Sequence, residues 1–532
     1  PEGLFWWSFY DRRSVDEFFE AALTYLSRKN EKLLDDVKSP NARARLISGM
    51  LYNGSYLFVL DGLEVMQKQE GDDYGEFGSD DLRQFLEYFS APGHSSFCLI
   101  TSRAPLFDLM DQTTFVHRDV TRLSEGEGCA LLKKVGVMGS DSDLKRAVEL
   151  WDGHAITLSL IGAYLAKDHG GDIAHLDDID APTADEQRYE RVHRIMRRYD
   201  ECLSDDERAF LLLFSAFRTP VEAAAFDKVF RTKTEKSALN APIAALTHDE
   251  FKKLIDRLLN NRILRFDPIE AHYTTHPLIR AHYFALLSKG DDGQAQDTHR
   301  QIKDYYLSVA GDVPHHPTLD DLAPLIEVVH HACQAGAYDE AGWIYWERIN
   351  QRDRGVLVLE LGAYETDLAT LKEFFHDHDI CKEPRLSAPN HRGWILHELG
   401  FCLSSLGRLT EAALFYERGT PSGLDSRSVM NACKTHLNLT DLYLSLGQLT
   451  RGAKANASAL DFAAQADDIS GKRNALAYRG KVAHLRGDAK FAESSFRQAE
   501  VLERRDDGTA SHLCSRRGIH HADHLRRIDR AG

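Results

Sequence analysis

The fold is decided by three stretches that repeat one pattern around a glycine: SLGRLTEAALFY at 405–416, SLGQLTRGAKAN at 445–456 and LRGDAKFAESSF at 485–496. Their glycines, Gly407, Gly447 and Gly487, are spaced 40 residues apart. A fixed period of this length is typical of units made of two helices and a tight turn. One such pair cannot bury its apolar face alone, so we expect the pairs to stack into a solenoid from about Pro317 onward.

Residue size within one unit fits two closely packed antiparallel helices. Leu399, Leu403 and Tyr416 supply bulk where the helices interlock, whereas Gly400 and Ala412 supply small residues where the helices approach. Further copies of the pattern occur at QAGAYDEA (334–341), ELGAYETDL (360–368) and 511–527.

The N-terminal part of the chain alternates between two other patterns. Three apolar runs have the length and composition of strands: LFWWSFY at 4–10, YLFVL at 56–60 and FCLI at 97–100. Apolar residues at helical spacing lie between them, at 14–27 and 82–89. This alternation predicts a parallel α/β sheet, and the continuous apolar runs predict strands that are covered on both faces.

The middle of the chain is predominantly helical in pattern. The segments 123–137, 142–151 and 156–165 predict a small helical domain, followed by a polar linker at 166–188. Helices are then expected at 191–202, 205–215 and 251–260, and short extended pieces at 263–267 and 271–275. Helices that end in two short strands predict a winged-helix domain.

Composition excludes several classes of function. The formal net charge is −17, which disfavours binding to nucleic acid by this chain. No apolar run approaches the roughly 20 residues that cross a bilayer, and the N-terminus has no signal-peptide pattern, so we expect a cytoplasmic protein with no membrane contact. The eight cysteines form no C-x-x-C pair and stand in apolar stretches. They are expected to be buried hydrophobic residues in a reducing compartment, which argues against disulfides and structural zinc.

Two acids follow the second predicted strand. Asp61 ends the run LFVLD, and parallel strands deliver such a residue to the carboxyl edge of the sheet, where open α/β folds bind ligands. A carboxylate there suits Mg²⁺, which prefers oxygen ligands. Glu64 is placed to orient an attacking water. The alternative is that Asp61 is a loop or helix-capping acid.

The third predicted strand brings further polar groups to the same edge. FCLI is followed by Thr101, Ser102 and Arg103, and a guanidinium is suited to bidentate binding of a terminal phosphate. The alternative is a surface arginine without a function. Together the two strand ends favour a phosphate site.

The chain contains no G-x-x-x-x-G-K-[ST] phosphate loop. Its nearest approach, SGKR at 470–473, lies in the repeat region and is a chance match. The backbone amides and the lysine that bind the β- and γ-phosphates in such loops are therefore not provided by this sequence.

Six motifs in order carry a family resemblance: LFWWSFYD, YLFVLDGLE, CLITSR, LSEGEGCALL, GHAITLSLIGAYL and THPLIRAHYF. They resemble those of the STAND class of signal-transduction ATPases, especially its NB-ARC and NACHT branches, and the repeats resemble tetratricopeptide repeats. The resemblance implies that the sequence starts just after the Walker A segment. It implies an α/β NTPase core at 1–120, a helical domain at 121–184, a winged-helix domain at 185–290 and tetratricopeptide-like repeats at 291–532.

The resemblance also implies roles for five residues. Asp61 is similar to the Walker B acid and binds Mg²⁺, Glu64 is the acid that follows it, and Arg103 is the sensor arginine. His276 matches the winged-helix histidine that contacts the β-phosphate of ADP. Gly153 matches the glycine of a nucleotide-contacting Gly-x-Pro motif, which reads Gly-His-Ala in this chain.

As the resemblance implies, this is a fragment of an ATP/ADP-regulated signalling switch. Its repeats bind a protein or peptide, and its self-association activates an effector outside the chain. The full-length protein would be a slow ATPase, and the fragment without the phosphate loop would be inactive. The alternatives are a tetratricopeptide scaffold with a non-functional NTPase core, and a STAND transcription regulator whose DNA-binding domain lies outside the sequence.

Two histidine-rich segments resemble metal sites by composition. They contain His376, His378 and Cys381, and His512, Cys514, His520, His521 and His524. Because the chain has 25 histidines, such clusters are expected by chance, and we favour chance over metal binding.

Overall fold

The architecture is seen in a computed structural model. It describes residues 2–28, 37, 39–68, 75–118, 120, 122–178, 200, 203–232, 239–261, 263–290, 292–419, 426–506 and 512–531. Contacts divide the described chain into two compact units. The first unit contains the described residues of 2–28, 43–315 and 323–336. The second contains 37, 39–42, 316–322 and the described residues from 337 onward.

The first unit opens with a parallel sheet of three strands in the order β1-β2-β3, as the alternating pattern predicts. The strands are β1 (Gly3–Ser8), β2 (Tyr56–Asp61) and β3 (Phe97–Ile100). The register places Ser8 opposite Asp61 and Leu60 opposite Ile100. The carboxyl ends of all three strands therefore meet at one edge, and Asp61 is the last residue of β2.

Three helices accompany this sheet: α1 (Val15–Leu26), α2 (Pro40–Tyr52) and α3 (Asp80–Phe89). The hydroxyl of Ser14 accepts a hydrogen bond from the amide of Glu17 at 3.1 Å, so Ser14 caps α1. Ser79 caps α3 in the same way through the amide of Leu82. A single turn of 3₁₀ helix, Leu63–Met66, follows β2.

The prediction that both faces of the sheet are covered is correct for the centre of β2, where Phe58, Val59 and Leu60 are all buried, but it is wrong for the outer strands. The rings of Phe5 and Phe58 pack 4.8 Å apart on one face, and Phe18 of α1 and Phe89 of α3 pack against them. On the other face the side chains of the two outer strands are solvent-exposed: Leu4, Trp6, Phe97 and Leu99. The apolar sequence is the same on both faces, but α1 and α3 both pack on the Phe5 side.

A helical segment comes next, close to the predicted bounds. It consists of α4 (Glu125–Val135), α5 (Asp141–Leu150), α6 (Ala155–Asp168) and the 3₁₀ stretch Ile173–Asp178. Leu132, Leu144, Trp151 and Leu158 belong to its buried core. The predicted linker at 166–188 is wrong for its first part, because α6 continues to Asp168 and the 3₁₀ stretch buries Ile173 and Leu176. The remainder of the linker and most of the predicted helix 191–202 lie outside the described residues.

Helices and a small antiparallel sheet follow. The longer helices are α7 (Asp205–Ser215), α8 (His248–Asn260) and α9 (Pro277–Lys289). Short helical segments lie at Ala223–Ala225, Phe226–Phe230 and Ala241–Ala244. The sheet order is β4-β6-β5, formed by β4 (Val221–Glu222), β5 (Leu264–Asp267) and β6 (His272–Thr275). The two strands that close the predicted winged helix are thus present.

The helices α10 (Asp292–Val309) and α11 (Leu319–Gln334) precede the array of repeats. The repeat region itself contains α12 (Tyr338–Ile344), α13 (Tyr364–Lys372), α14 (Pro389–Ser405), α15 (Leu409–Arg418), α16 (Ser426–Ser445), α17 (Leu449–Gln465), α18 (Ile469–Leu485), α19 (Ala489–Asp506) and α20 (Ser515–Ala531). Short π-helical stretches at Tyr345–Ile349 and Val356–Glu360 interrupt the early part of the array.

The repeat glycines lie where the sequence predicts turns. Gly407, Gly447 and Gly487 have φ values of 81°, 71° and 83°, a left-handed conformation that favours glycine, and each joins the two helices of one pair. At Gly400 a methyl group would stand 3.0 Å from the ring of Tyr416. The helices of a pair therefore approach as closely as their small residues allow, as predicted.

Two of the expectations from composition are tested by this structure. Among the described cysteines, Cys333, Cys402 and Cys433 are buried, but Cys381 and Cys514 are exposed, so the expectation of buried cysteines is wrong for these two. Within the described residues, every helix is too short or too polar to span a bilayer.

Candidate functional site

The carboxyl edge of the parallel sheet brings Asp61 and Thr101 into contact. The hydroxyl of Thr101 donates a hydrogen bond to Oδ1 of Asp61 at 2.6 Å and accepts one from the amide of Gly62 at 2.9 Å. The β2-to-β3 pairing places the two residues side by side, since Leu60 is opposite Ile100. Asp61 is only partly buried, so its carboxylate is held in a fixed orientation at an accessible edge.

Glu64 lies on the same edge but is 2% exposed. Its Oε1 accepts hydrogen bonds from the hydroxyl of Tyr10 and, at 2.5 Å, from Nε of Arg103. Its Oε2 accepts one from the backbone amide of Arg103 at 3.3 Å. The buried carboxylate is thus paired with a guanidinium and satisfied by a phenol, as a charge removed from water requires.

Burial and the Glu64 carboxylate together shift the pKa values of Arg103 and Tyr10. Burial acts to lower the pKa of Arg103, but the hydrogen bond to Glu64 and the neighbouring charges outweigh it, so the net pKa is raised. Burial and then the Glu64 hydrogen bond raise the pKa of Tyr10, so its hydroxyl stays protonated. Half of the Arg103 side chain remains exposed, which leaves the guanidinium within reach of a ligand.

His276 caps α9. Its Nδ1 accepts a hydrogen bond from the amide of Leu278 at 3.2 Å, and Pro277 begins the helix. Burial, followed by the charges of Arg265, Arg103 and His154, lowers the pKa of His276 to about 4. The imidazole is therefore neutral near pH 7, and the fold brings it close enough to Arg103 and His154 for their charges to act on it.

Gly153 lies in a buried turn with a φ of 60°. Its amide donates to the carbonyl of Val148, and its carbonyl accepts from the amide of Leu123, both at 2.8 Å. A methyl group at this position would stand 2.5 Å from the Leu123 carbonyl oxygen, so glycine is required by the turn itself. Its role in nucleotide binding stays a prediction.

Three arginines that the sequence analysis did not single out belong to the same region. Arg13 follows β1, and its pKa is lowered to about 10 by partial burial and then by the charges of Arg280 and Arg218. Arg280 donates to the carbonyl of Arg218 at 2.9 Å. Arg218 is paired with Glu327 at 2.8 Å. We refer to Arg13, Arg218 and Arg280 as the arginine cluster.

The positions of Arg13 and Arg280 in the sequence give a signal by which they could have been found. Arg12 and Arg13 follow directly on β1, as Arg103 follows β3, and Arg280 is one helical turn after His276. Arg218 has no such signal, because only the folded chain brings residues from distant segments together. The cluster and Arg103 give this part of the first unit an excess of cationic groups that suits an anionic ligand.

The described residues fit a magnesium nucleotide in two respects. Asp61 offers a carboxylate at the edge where open α/β folds bind ligands. The guanidinium groups offer donors for phosphate oxygens, and Glu64 and Glu327 each pair with only one of them.

The repeats carry a second candidate site. A groove of about 260 Å³ is formed by α16, α18 and α20. Most of the residues that line it are of polar type: Lys434, Leu437, Asn438, Asn474, Ala477, Tyr478, Ser515, Arg516, Arg517 and His520. Arg517 donates to the Asn474 side chain at 2.5 Å, and Arg516 pairs with Asp441. The exposed surface of the groove is nonetheless more apolar than polar, so it suits a peptide segment that carries both polar and apolar side chains.

The two histidine-rich segments of the sequence do not assemble as metal sites in the described residues. His376 pairs with Asp377, and His378 lies 3.9 Å from Glu373. In the C-terminal segment, His524 contacts His484 at 3.0 Å, and His521 lies 3.4 Å from Glu500.

Comparisons with known proteins bear on the fold. A scan against models of protein families finds no match for this chain, and a search of curated protein sequences finds none either. Among solved structures, the chain is similar to the Signal Transduction ATPase with Numerous Domains (STAND) protein with a tetratricopeptide repeat sensor from Pyrococcus horikoshii. The TM-score is 0.52 at 13% sequence identity, and the match covers 94% of this chain and 64% of that one.

This match confirms the coarse form of the resemblance. The chain has a STAND-like fold, predominantly helical with a small parallel sheet, and helical repeats like those of a tetratricopeptide sensor. It spans less than two thirds of the length of the protein it matches. The likeness is one of fold, and function has to be argued from the residues.

Proposed function

We propose that this chain is part of a nucleotide-regulated signalling switch, in which ADP and ATP bind at the carboxyl edge of the parallel sheet. One observation carries the proposal: Asp61, Thr101 and Arg103 meet at that edge, and the charge of Arg103 acts on His276, which begins α9. Two segments more than 170 residues apart in the sequence thus share one cationic region within a STAND-like fold.

Each residue has a distinct part in this proposal. Asp61, oriented by Thr101, would hold Mg²⁺, which neutralises phosphate charge when it is bound. His276, neutral near pH 7, would donate a hydrogen bond to a diphosphate oxygen from Nε2, because its Nδ1 accepts from Leu278. Arg13 and Arg280 would provide the positive field around the phosphates.

The pair of Arg103 and Glu64 supplies the two states that a switch requires. In the described conformation Glu64 holds the guanidinium. A terminal phosphate carries more negative charge than a carboxylate and can bind a guanidinium in a bidentate way, so it would compete with Glu64 for Arg103. A ligand shifts such an equilibrium only by its differential affinity, and ATP differs from ADP in this terminal phosphate.

The finer parts of the proposal follow the resemblance. They are an NB-ARC or NACHT-like order of NTPase core, helical domain and winged-helix domain, and slow hydrolysis that resets the switch in a longer protein. Self-association on activation and cytoplasmic location belong to the same proposal. The groove between α16, α18 and α20 would bind the protein or peptide that the repeats sense.

Thermal unfolding in the presence of nucleotide tests the proposal with the chain as it stands. Because the sequence has no phosphate loop, we expect weak binding, with a Kd of about 1 mM. About 10 mM Mg²⁺-ADP would then stabilise the protein by roughly 1.4 kcal/mol, whereas the same concentration of inorganic phosphate would do less. Asp61→Ala should remove most of the effect. No stabilisation of the wild type at this concentration would contradict the proposal.

A specific observation favours a second candidate function, a protein-binding scaffold with a core that uses no nucleotide. Both carboxylate oxygens of Glu64 are already engaged by Arg103 and Tyr10, as in a purely structural ion pair. The two functions differ in the thermal experiment, since a scaffold would show no response to nucleotide and would still bind its partner at the repeats.

A further inference from the structure

Three histidines that take no part in the proposed nucleotide site converge in the first unit. His299 lies on α10, and His330 and His331 are adjacent on α11. One ring nitrogen of each histidine lies within 4.8 Å of a ring nitrogen of the other two. Within the part of the chain that the structure describes, this is the group of at least three histidine, cysteine, aspartate or glutamate side chains whose ligand atoms lie this close together. We call them the histidine triad.

The geometry of the histidine triad is close to that of a transition-metal site. Nδ1 of His299 and Nδ1 of His331 face each other at 2.8 Å. Zinc–nitrogen bonds of about 2.0–2.1 Å place two tetrahedral ligands about 3.3 Å apart, so a small rotation of the rings would admit an ion between them. The centre of the His330 ring lies 6.1 Å from that of His299 and 4.9 Å from that of His331.

The carboxylate of Glu327 lies next to His331, the most buried histidine of the triad. His331 is fully buried, and its Nε2, on the side opposite to the triad, lies 3.7 Å from Oε2 of Glu327 with no hydrogen-bond partner. A carboxylate behind a ligating histidine fixes the tautomer and increases the basicity of the ligating nitrogen. Glu327 is one helical turn before His331 and is itself held by Arg218.

The surroundings of the triad exclude bulk water and favour the neutral form of His331. The ring of Tyr306 stacks on His331 at 5.8 Å, and that of Phe217 packs on its edge at 6.5 Å. His299 and His330 are buried to nine tenths or more. Burial, followed by the charges of His330 and His299, keeps the pKa of His331 well below its usual range, and a neutral imidazole is the form that binds a metal.

We propose that His299, His330 and His331 bind one divalent transition-metal ion, with Zn²⁺ as the best-suited ion and Glu327 as the carboxylate that orients His331. Three nitrogen ligands leave a fourth position for water. The ion would fasten α10 to α11, which are otherwise joined only through the segment 310–318 and side-chain packing. Nitrogen-only ligation disfavours Mg²⁺ and Ca²⁺, which require oxygen.

Metal titration of the intact chain tests the site. Protein without a histidine tag is stripped with EDTA and titrated with ZnCl₂ or CoCl₂ alone, and bound metal is measured by mass spectrometry and by the visible absorption of Co²⁺. We expect one equivalent per chain with the spectrum of a four-coordinate ion. His330→Asn removes a ligand but leaves the contact between His299 and His331, so it should weaken binding at least ~10-fold while the apo protein stays folded.

Two further variants complete the design. Glu327→Gln should weaken the affinity by ~10–100-fold, as loss of an orienting carboxylate does. The double variant His376→Asn/His378→Asn, which changes two exposed histidines, should bind like the wild type. The proposal is overturned if the wild type takes up less than one equivalent, or if His330→Asn binds normally and the uptake is lost instead on His484→Asn. The triad would then be a hydrogen-bonded packing cluster.

Discussion

The carboxylate of Glu64, 2% exposed, is held by Nε of Arg103 at 2.5 Å. Glu64 follows β2 and Arg103 follows β3, so the pair closes the carboxyl edge of the parallel sheet. Arg103, the residue proposed to sense a phosphate, also stabilises this edge of the sheet, because it pairs with the buried charge of Glu64. Ligand binding and core stability are thereby connected through one guanidinium.

Arg103→Ala should destabilise the first unit by about 1–3 kcal/mol, because the buried Glu64 carboxylate keeps only the Tyr10 hydroxyl and the residue 103 amide as partners. Urea unfolding measures this loss. Adding Glu64→Gln to Arg103→Ala should recover part of it, because the uncompensated charge is removed. Arg45→Ala, at an exposed position on α2, is the control and should change stability by less than ~0.5 kcal/mol. A loss in Arg103→Ala no larger than in this control would show that Glu64 needs no partner.

Asp61→Ala and His276→Ala should affect nucleotide binding in different ways. Asp61→Ala should abolish the difference between Mg²⁺-ADP and ADP in EDTA, because the oxygen ligand for the metal is lost. His276→Ala should weaken ADP binding equally in both conditions, because a neutral imidazole contacts phosphate and not metal. Thermal shifts at several ADP concentrations measure both. Identical behaviour of the two variants would contradict this division of roles.

Much of the fold could be predicted because its signals are local. The apolar run YLFVL and the acid after it define β2 and its carboxyl edge, and the 40-residue period of Gly407, Gly447 and Gly487 defines the helix pairs. Ser14 and Glu17 mark the start of α1. The strand and the helix start depend on residues close together in the sequence, and the helix pairs depend on a short pattern that recurs at a fixed period.

The features that could not be predicted depend on distant segments. Burial of one sheet face and exposure of Leu4 and Trp6 on the other depend on where α1 and α3 pack, which an apolar run cannot reveal. The pairing of Arg218 with Glu327 joins residues 109 positions apart. In the same way, His299 meets His331 only through the packing of α10 on α11, although the adjacent pair of histidines at 330 and 331 was a visible signal.

Ala412→Trp should destabilise the repeats by at least ~1–3 kcal/mol, because Ala412 is fully buried on α15 and the larger ring overpacks the helix pair. Leu414→Trp changes an exposed position on the same helix and should be tolerated. Limited proteolysis locates the damage: new cleavage sites in Ala412→Trp should appear only after residue 317. Cleavage of the α/β core in this variant, or equal tolerance of both substitutions, would contradict the solenoid packing.

Asp367 should make the repeats less stable as pH rises. Burial raises its pKa to about 7, against a hydrogen bond from Tyr345 at 2.6 Å that acts in the opposite direction. The folded state therefore keeps a proton that the unfolded state has lost, and stability falls by roughly 2–4 kcal/mol between pH ~4 and ~7. Asp367→Asn removes the titration and should flatten this part of the curve in urea unfolding. An unchanged slope in the variant would show that Asp367 is ionised in the fold.

Hydrogen–deuterium exchange with and without Mg²⁺-ADP tests the central claim most directly, because it reports where on the chain the nucleotide acts. At about 10 mM ADP we expect slower exchange in peptides that cover 61–64, 101–103 and 276–280, and little change in the repeats. At micromolar ADP we expect no change, since the chain has no phosphate loop. Exchange that is unaltered in all three segments at about 10 mM Mg²⁺-ADP would contradict the account.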